Sequence, residues 1–143
     1  MGDITEHFSL HEFSDSQKAN ELGIDNTMPP EVIGHIITLT KRVLEPIRCF
    51  LDDVVHVSSG YRCPLLNSAV RGVENSSHMY GYAADIVCVD LEVVFEWAKV
   101  HLSYDKIILE YHNGKAWIHV SYKNASLNRN KAYIYKNGVY NEV

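Results

Sequence analysis

Between residues 32 and 51 the apolar positions Val32, Ile33, Ile36, Ile37, Val43, Leu44, Ile47 and Leu51 recur at intervals of three and four. That period lays one apolar stripe along a helix. The segment NTMPPEVIGHIITLTKRVLEPIRCFLDD therefore predicts the main helix of the chain. Asn26 or Thr27 lies near its cap, and Pro29 and Pro30 fall in the first turn, where a missing N–H does no harm. Pro46 interrupts the stripe and should kink the helix or split it. Upstream, SLHE at 9–12 has capping-box spacing and predicts a short helix over 9–21, closed by Gly23. DLEVVFEWAKVHL at 90–102 predicts an amphipathic helix with Asp90 as its cap, and CPLLNSAVRG a short one starting at Pro64 and stopping at Gly72.

The remaining apolar runs have strand character. VVHVSSGYR at 54–62 enters a turn at Gly60, and YAADIVCV at 82–89 reads as a buried strand after a polar loop. KIILEYH-NG-KAWIHVSY is the clearest hairpin, because Asn113-Gly114 is the preferred pair for a two-residue turn with positive φ at both positions. A second pair, Asn137-Gly138, makes AYIYKNGVYNEV a C-terminal hairpin. Helices first, then strands broken by a helix, predict an α+β domain with a small, mainly antiparallel sheet and helices packed on it.

A two-residue loop at Asn113-Gly114 sets His112 opposite Lys115, Tyr111 opposite Ala116, Glu110 opposite Trp117 and Ile108 opposite His119. Ala116, Ile118 and Val120 then point to the core, while Trp117, His119 and Ser121 point the other way. Glu110 shares that second face, diagonal to His119 at roughly 7–8 Å between backbone positions. This separation suits a water held between a metal ligand and a general base.

Composition narrows the classes. The 143 residues fit one domain over 1–143, long enough to bury a core. A net charge of −5 supplies no electrostatic attraction to nucleic acid or an anionic membrane. No membrane-length apolar run and no basic-then-apolar leader are present. The expectation is a protein that is cytoplasmic as synthesised, with a myristoylation signal excluded by Glu6. Cys49, Cys63 and Cys88 form no CxxC pair, so structural thiols in a reduced compartment are expected.

Singly, His78, Asp85, Glu110 and His119 each have an ordinary explanation as a loop, turn or surface strand residue. Jointly they carry a resemblance. Ser76, His78, Gly81, Ala83 and Asp85 spell S-x-H-x-x-G-x-A-x-D, and Trp117 and His119 spell W-x-H. The pattern resembles the zinc D-Ala-D-Ala carboxypeptidase family, peptidase family M15, with its hedgehog-like fold. SGYRCPLLN, Ser59 to Asn67, is similar to a further segment of that family, and HFSLHEF to the N-terminal signature of its phage-type subfamily. The resemblance spans about residues 5–122, leaving 123–143 as a hairpin extension.

The resemblance implies one Zn²⁺ held by His78, Asp85 and His119 with the fourth position open to water, the usual form of a catalytic zinc site. It implies Arg62 as the cation facing the oxyanion or the substrate's terminal carboxylate. Ser76 and Trp117 would line the substrate site. Glu110 is the favoured general base, and Asp105 or His112 takes that role if the hairpin register differs. Gly81 and Ala83 suit a backbone that turns sharply and passes close to metal and substrate. For Ser76 a loop hydroxyl bonded to its own backbone is an equal alternative.

The implied activity is hydrolysis of a bond in the peptidoglycan stem peptide, by a carboxypeptidase or an L-Ala-D-Glu-type endopeptidase. The expected setting is a phage or prophage lytic system that releases the enzyme to the cell wall, or a small bacterial relative of such an enzyme. A non-catalytic, zinc-stabilised binding module on the same fold is the alternative. His7, His11, His35, His56 and His101 carry no ligand spacing and are expected to be ordinary surface or helix residues. The Tyr-rich C-terminal hairpin, with Tyr133, Tyr135 and Tyr140, is expected to cover a sheet edge and leave a monomer.

Overall fold

The computed structural model describes residues 2–143. One six-stranded sheet organises it, in the order β1-β2-β4-β3-β5-β6. The strands are β1 (His56–Ser59), β2 (Ala83–Val87), β3 (Lys106–His112), β4 (Lys115–Ser121), β5 (Lys131–Lys136) and β6 (Val139–Glu142). Every neighbouring pair is antiparallel except β3–β5. The α+β class expected from the sequence is the class observed, and its sheet is mainly antiparallel.

The main helix is divided at the place Pro46 predicts. Helix α3 (Pro30–Leu39) widens into a π segment at Thr40–Leu44 before α4 (Glu45–Leu51) resumes. Pro46 has no N–H to return to the preceding turn, and the Glu45 N–H reaches back to the Thr40 carbonyl across the wider loop. The π segment keeps the apolar stripe continuous: Val32, Ile36, Leu39, Val43, Leu44 and Ile47 are all buried. They pack with Phe95 and Ala98 of α6 (Leu91–His101), which follows the short α5 (Pro64–Ala69), and with the sheet's core face, which carries Ile86, Ile107, Leu109, Ile118 and Val120. The opposite face of the sheet is left for the site.

Four local expectations are corrected. The helix predicted over 9–21 is two helices, α1 (His11–Ser14) and α2 (Gln17–Leu22), because the Ser16 hydroxyl accepts from the Ala19 N–H and starts a new helix. Only half of the capping box forms: Glu12 accepts from the Ser9 N–H, while the Ser9 hydroxyl accepts from Asp3. Asp90 does not cap α6 with its side chain, since it occupies the left-handed region at φ 54° and makes no cap hydrogen bond. Neither Asn26 nor Thr27 caps α3, whose N-cap is Pro29. Asn26 is buried for another purpose, described below.

The hairpin register is the one predicted. Glu110 pairs with Trp117, Ile108 with His119 and His112 with Lys115, around Asn113 and Gly114 at φ 50° and 76°. The C-terminal hairpin also forms, with Lys136 opposite Val139. Its β5 covers the outer edge of β3 in parallel register, which puts Tyr135 beside Glu110. No helix is long and apolar enough to cross a membrane among the described residues.

Candidate active site

The polar face of the sheet builds the site from adjacent strands. Asp85 on β2 pairs directly with His119 on β4, so strand pairing alone brings two candidate ligands together. The third comes from a short 3-10 helix, Ser77–Tyr80, that precedes β2. His78 Nε2 lies 3.4 Å and His119 Nδ1 3.0 Å from Asp85 Oδ1, and one ligand atom from each residue lies within 4.8 Å of the others. The two imidazole rings meet edge to face at 5.2 Å.

This donor set fits zinc. Bonds of about 2.0–2.2 Å in a tetrahedron put neighbouring nitrogen and oxygen ligands roughly 3.3–3.6 Å apart, close to the spacing here. The His78 ring is oriented by its other nitrogen: Nδ1 is 2.7 Å from the Gly60 carbonyl. A carbonyl only accepts, so Nδ1 carries the proton and Nε2 keeps its lone pair for a metal. Burial of His78 pushes its pKa down, favouring the neutral imidazole that binds metal. Burial opposes the charge on Asp85, but its hydrogen bonds to His119 and His78 outweigh burial and hold the carboxyl far below the usual range.

The chain reaches this geometry through contacts that spacing did not reveal. Asn26 uses its amide to tie the end of α1 to the loop around Arg62: Nδ2 donates to the Tyr61 carbonyl at 2.9 Å and the Ser14 carbonyl at 3.0 Å, and Oδ1 accepts from the Cys63 N–H at 2.8 Å. Tyr61 also donates its N–H to the Phe13 carbonyl, and Arg62 donates its own to the His78 carbonyl. At Gly60 a Cβ would lie 2.6 Å from the Phe13 backbone. The buried Phe8 and Phe13 of the N-terminal HFSLHEF segment thus fix the SGYR loop against the ligand turn.

Gly81 receives a further reason beside the one its place in the motif suggests. It closes the 3-10 turn in the left-handed region at φ 76°, and a Cβ there would sit 2.7 Å from the Val32 carbonyl oxygen. Helix α3 is thus an obstacle in its own right.

Ser76 is buried, and its hydroxyl accepts from the His78 N–H at 3.3 Å and from Arg62 Nη2 at 3.3 Å. It is therefore bonded to local backbone and also aims the guanidinium. Arg62 is half-buried, and its Nε lacks a partner. Burial lowers its pKa and the charge of Asp85 raises it. Arg62 also lines an open cleft of about 820 Å³, together with Ser59 and His56 on one side and His11, Glu12 and Lys18 on the other. His11 and His56, expected to be ordinary surface residues, stand in the wall of that cleft.

Glu110 lies one strand beyond His119 on the same face. Trp117 Nε1 donates to its Oε2 at 2.7 Å, which aims the carboxylate and leaves Oε1 free of that bond. Burial raises the Glu110 pKa above the ordinary carboxylate value, and Asp85 adds to this, while His119 and the Trp117 hydrogen bond oppose it. A carboxylate shifted upward is a better proton acceptor.

The two competing bases are placed elsewhere. Asp105 is buried in a bidentate ion pair with Arg129, at 3.0 and 2.9 Å. His112 is exposed at the hairpin turn.

No curated protein matches the chain. The family model for Peptidase M15 matches residues 6–121, a span that holds the SGYR loop, the ligand turn, both hairpin strands and all three converging side chains. With that match over most of its length and a His-Asp-His cluster suited to the metal such enzymes require, the chain belongs to the M15 peptidases, a family of zinc metallopeptidases.

Proposed function

We propose that the protein hydrolyses a peptide bond of the peptidoglycan stem peptide, as a D-Ala-D-Ala carboxypeptidase or an L-Ala-D-Glu-type endopeptidase, within a phage or prophage lytic system. The observation that carries the reading is one convergence: two candidate ligands on the sheet face, a third from the 3-10 turn beside it and, one strand away, a carboxylate held in place by an indole N–H.

His78, Asp85 and His119 would hold one Zn²⁺. When bound, that ion supplies a Lewis acid that activates water and polarises the scissile carbonyl. Two neutral imidazoles and one carboxylate leave the centre a net charge of about +1, which preserves that acidity. Glu110 accepts the proton of the attacking water and delivers it to the departing amine, so one carboxylate acts as base and then acid. Arg62, held by Ser76, presents its fork to the developing oxyanion or to the substrate's terminal carboxylate. Trp117 keeps Glu110 aimed, and its ring forms part of the substrate wall. The cleft that Arg62 lines, and that His78, Asp85, His119 and Glu110 do not, offers room for the rest of the peptide.

Incubation of the zinc-loaded protein with intact muropeptides, followed by mass spectrometry, tests the reading. Loss of a terminal alanine identifies a carboxypeptidase, and scission after the first alanine an endopeptidase. Muropeptides left intact by a protein that binds zinc and the peptide would overturn it in favour of a binding module.

A further inference from the structure

Among the described residues a second group of metal-competent side chains lies away from the sheet, where the N-terminal segment meets helix α4. His7 Nδ1 is 2.7 Å from Glu45 Oε2, and Cys49 Sγ is 3.5 Å from the same oxygen. Glu45 and Cys49 are one helical turn apart, which puts both on one face of α4. As in the catalytic cluster, one ligand atom from each of the three residues lies within 4.8 Å of the others.

We infer that His7, Glu45 and Cys49 form a second, structural zinc site that pins the N-terminal segment to helix α4. The 3.5 Å between sulfur and oxygen is close to the edge of a tetrahedron with Zn–S of about 2.3 Å and Zn–O of about 2.1 Å. His7 is nearer because its ring nitrogen and Glu45 share a hydrogen bond. A metal takes the place of that proton, and the partly exposed ring steps back by roughly half an ångström to reach tetrahedral spacing.

The backbone already holds the site together. The His7 N–H donates to Glu45 Oε1 at 3.0 Å, leaving Oε2 turned towards the thiol. Phe8, buried beside it, fixes where His7 emerges. Glu6 is close enough for its charge to act on Cys49, and with His7 and Arg48 it lines a small cavity of about 320 Å³. The fourth corner is left to a water, since Glu6 stands outside the group of three converging ligand atoms. Arg48 is drawn away towards Asp52 at 3.9 Å.

The donor chemistry separates this site from the first. A neutral imidazole, a carboxylate and a thiolate cancel the charge of Zn²⁺, and a thiolate donates strongly to the metal. Both features weaken activation of a bound water and suit a structural ion. The role is to hold HFSLHEF, and through Phe13 the SGYR loop, against the helical layer.

Cobalt substitution tests the second site independently of the peptidase reading, because the sheet cluster contains no sulfur. The full chain is loaded with Co²⁺ and, separately, with Zn²⁺, then desalted and weighed by native mass spectrometry. The expected results are two ions per chain and a thiolate-to-cobalt charge-transfer band in the near ultraviolet. Cys49→Ser should drop to one ion and lose the band, His7→Ala should weaken both, and His78→Ala should keep the band with one ion. A wild-type chain without the band, or a band that survives Cys49→Ser, overturns the second site and leaves the catalytic cluster untouched.

Discussion

The two histidine-containing clusters satisfy the same test of proximity and differ in what surrounds them. His78 is buried on a short 3-10 turn, and Asp85 and His119 are partly buried on strands locked by ladder hydrogen bonds. His7 and Cys49 are exposed, on a helix face and a terminal segment. The first cluster has a proton acceptor one strand away in Glu110 and an unpaired cation donor in Arg62 Nε. Among the described residues the second has no carboxylate aimed by a comparable hydrogen bond and no unpaired buried cation donor. Convergence of ligands makes a metal site. Burial, net charge and a positioned base make a catalytic one.

The largest way to break the contrast is His78→Ala. It removes the imidazole whose Nε2 faces Asp85, and hydrolysis should fall to background with one zinc lost from the sheet cluster, read by metal analysis and muropeptide turnover. Next is Glu110→Gln, which keeps the shape and the ligands. Zinc content should be unchanged and kcat should fall about 10²- to 10⁴-fold, the range for loss of a general acid–base group. Full activity in this variant would remove Glu110 from the mechanism.

Trp117→Phe sharpens the assignment more gently. Glu110 works as a base only when ionised, so kcat/KM falls as pH drops through its raised pKa. The Trp117 hydrogen bond holds that pKa down, so its removal should move the acid limb to higher pH. A limb that stays in place would show that another group titrates there.

Asp105 supplies a contrast of another kind: a buried carboxylate paired for stability. Its pKa in the fold is lowered; burial opposes this, and the hydrogen bonds and charge of Arg129 outweigh it. The stabilisation is therefore complete above the unfolded value of about 3.9 and is lost as pH falls through the lower, folded value. Asp105→Asn should cost about 1–3 kcal/mol near neutrality, towards the lower end because Arg129 is well exposed, with zinc content intact. Denaturant unfolding at several pH values reads both effects. The smallest change in turnover belongs to Cys49→Ser, which should leave hydrolysis unaltered while reducing the stabilisation that added zinc gives.

The hairpin was the most legible region. Asn113-Gly114 sets the turn, the turn sets the register, and period-two alternation then assigns Glu110, Trp117 and His119 to one face. Those are local rules with few alternatives. The helix ends were less legible. Ser16 restarts a helix inside a segment of helical pattern, and Asp90 has the residue type of a cap with the backbone of a left-handed turn. Asn26 resembled a cap for a good reason, since the same side chain is suited to either task. Only packing against α1 and the SGYR loop assigns it to bracing Arg62. His7, Glu45 and Cys49 had no readable spacing because 38 residues separate the first two.

The sequence by itself determined the apolar stripe and its interruption at Pro46, the two Asn-Gly hairpins, and the motif residues whose resemblance pointed to a zinc peptidase. These depend on period, turn chemistry and residue order, which are properties of short segments. The tertiary structure alone decided that Asp85 lies opposite His119, that Gly60 keeps Phe13 close and supplies the carbonyl for His78, that Gly81 yields to Val32, and that Asp105 belongs to Arg129. Each of these joins distant parts of the chain. Such contacts exist only once the core has closed and fixed which surfaces meet.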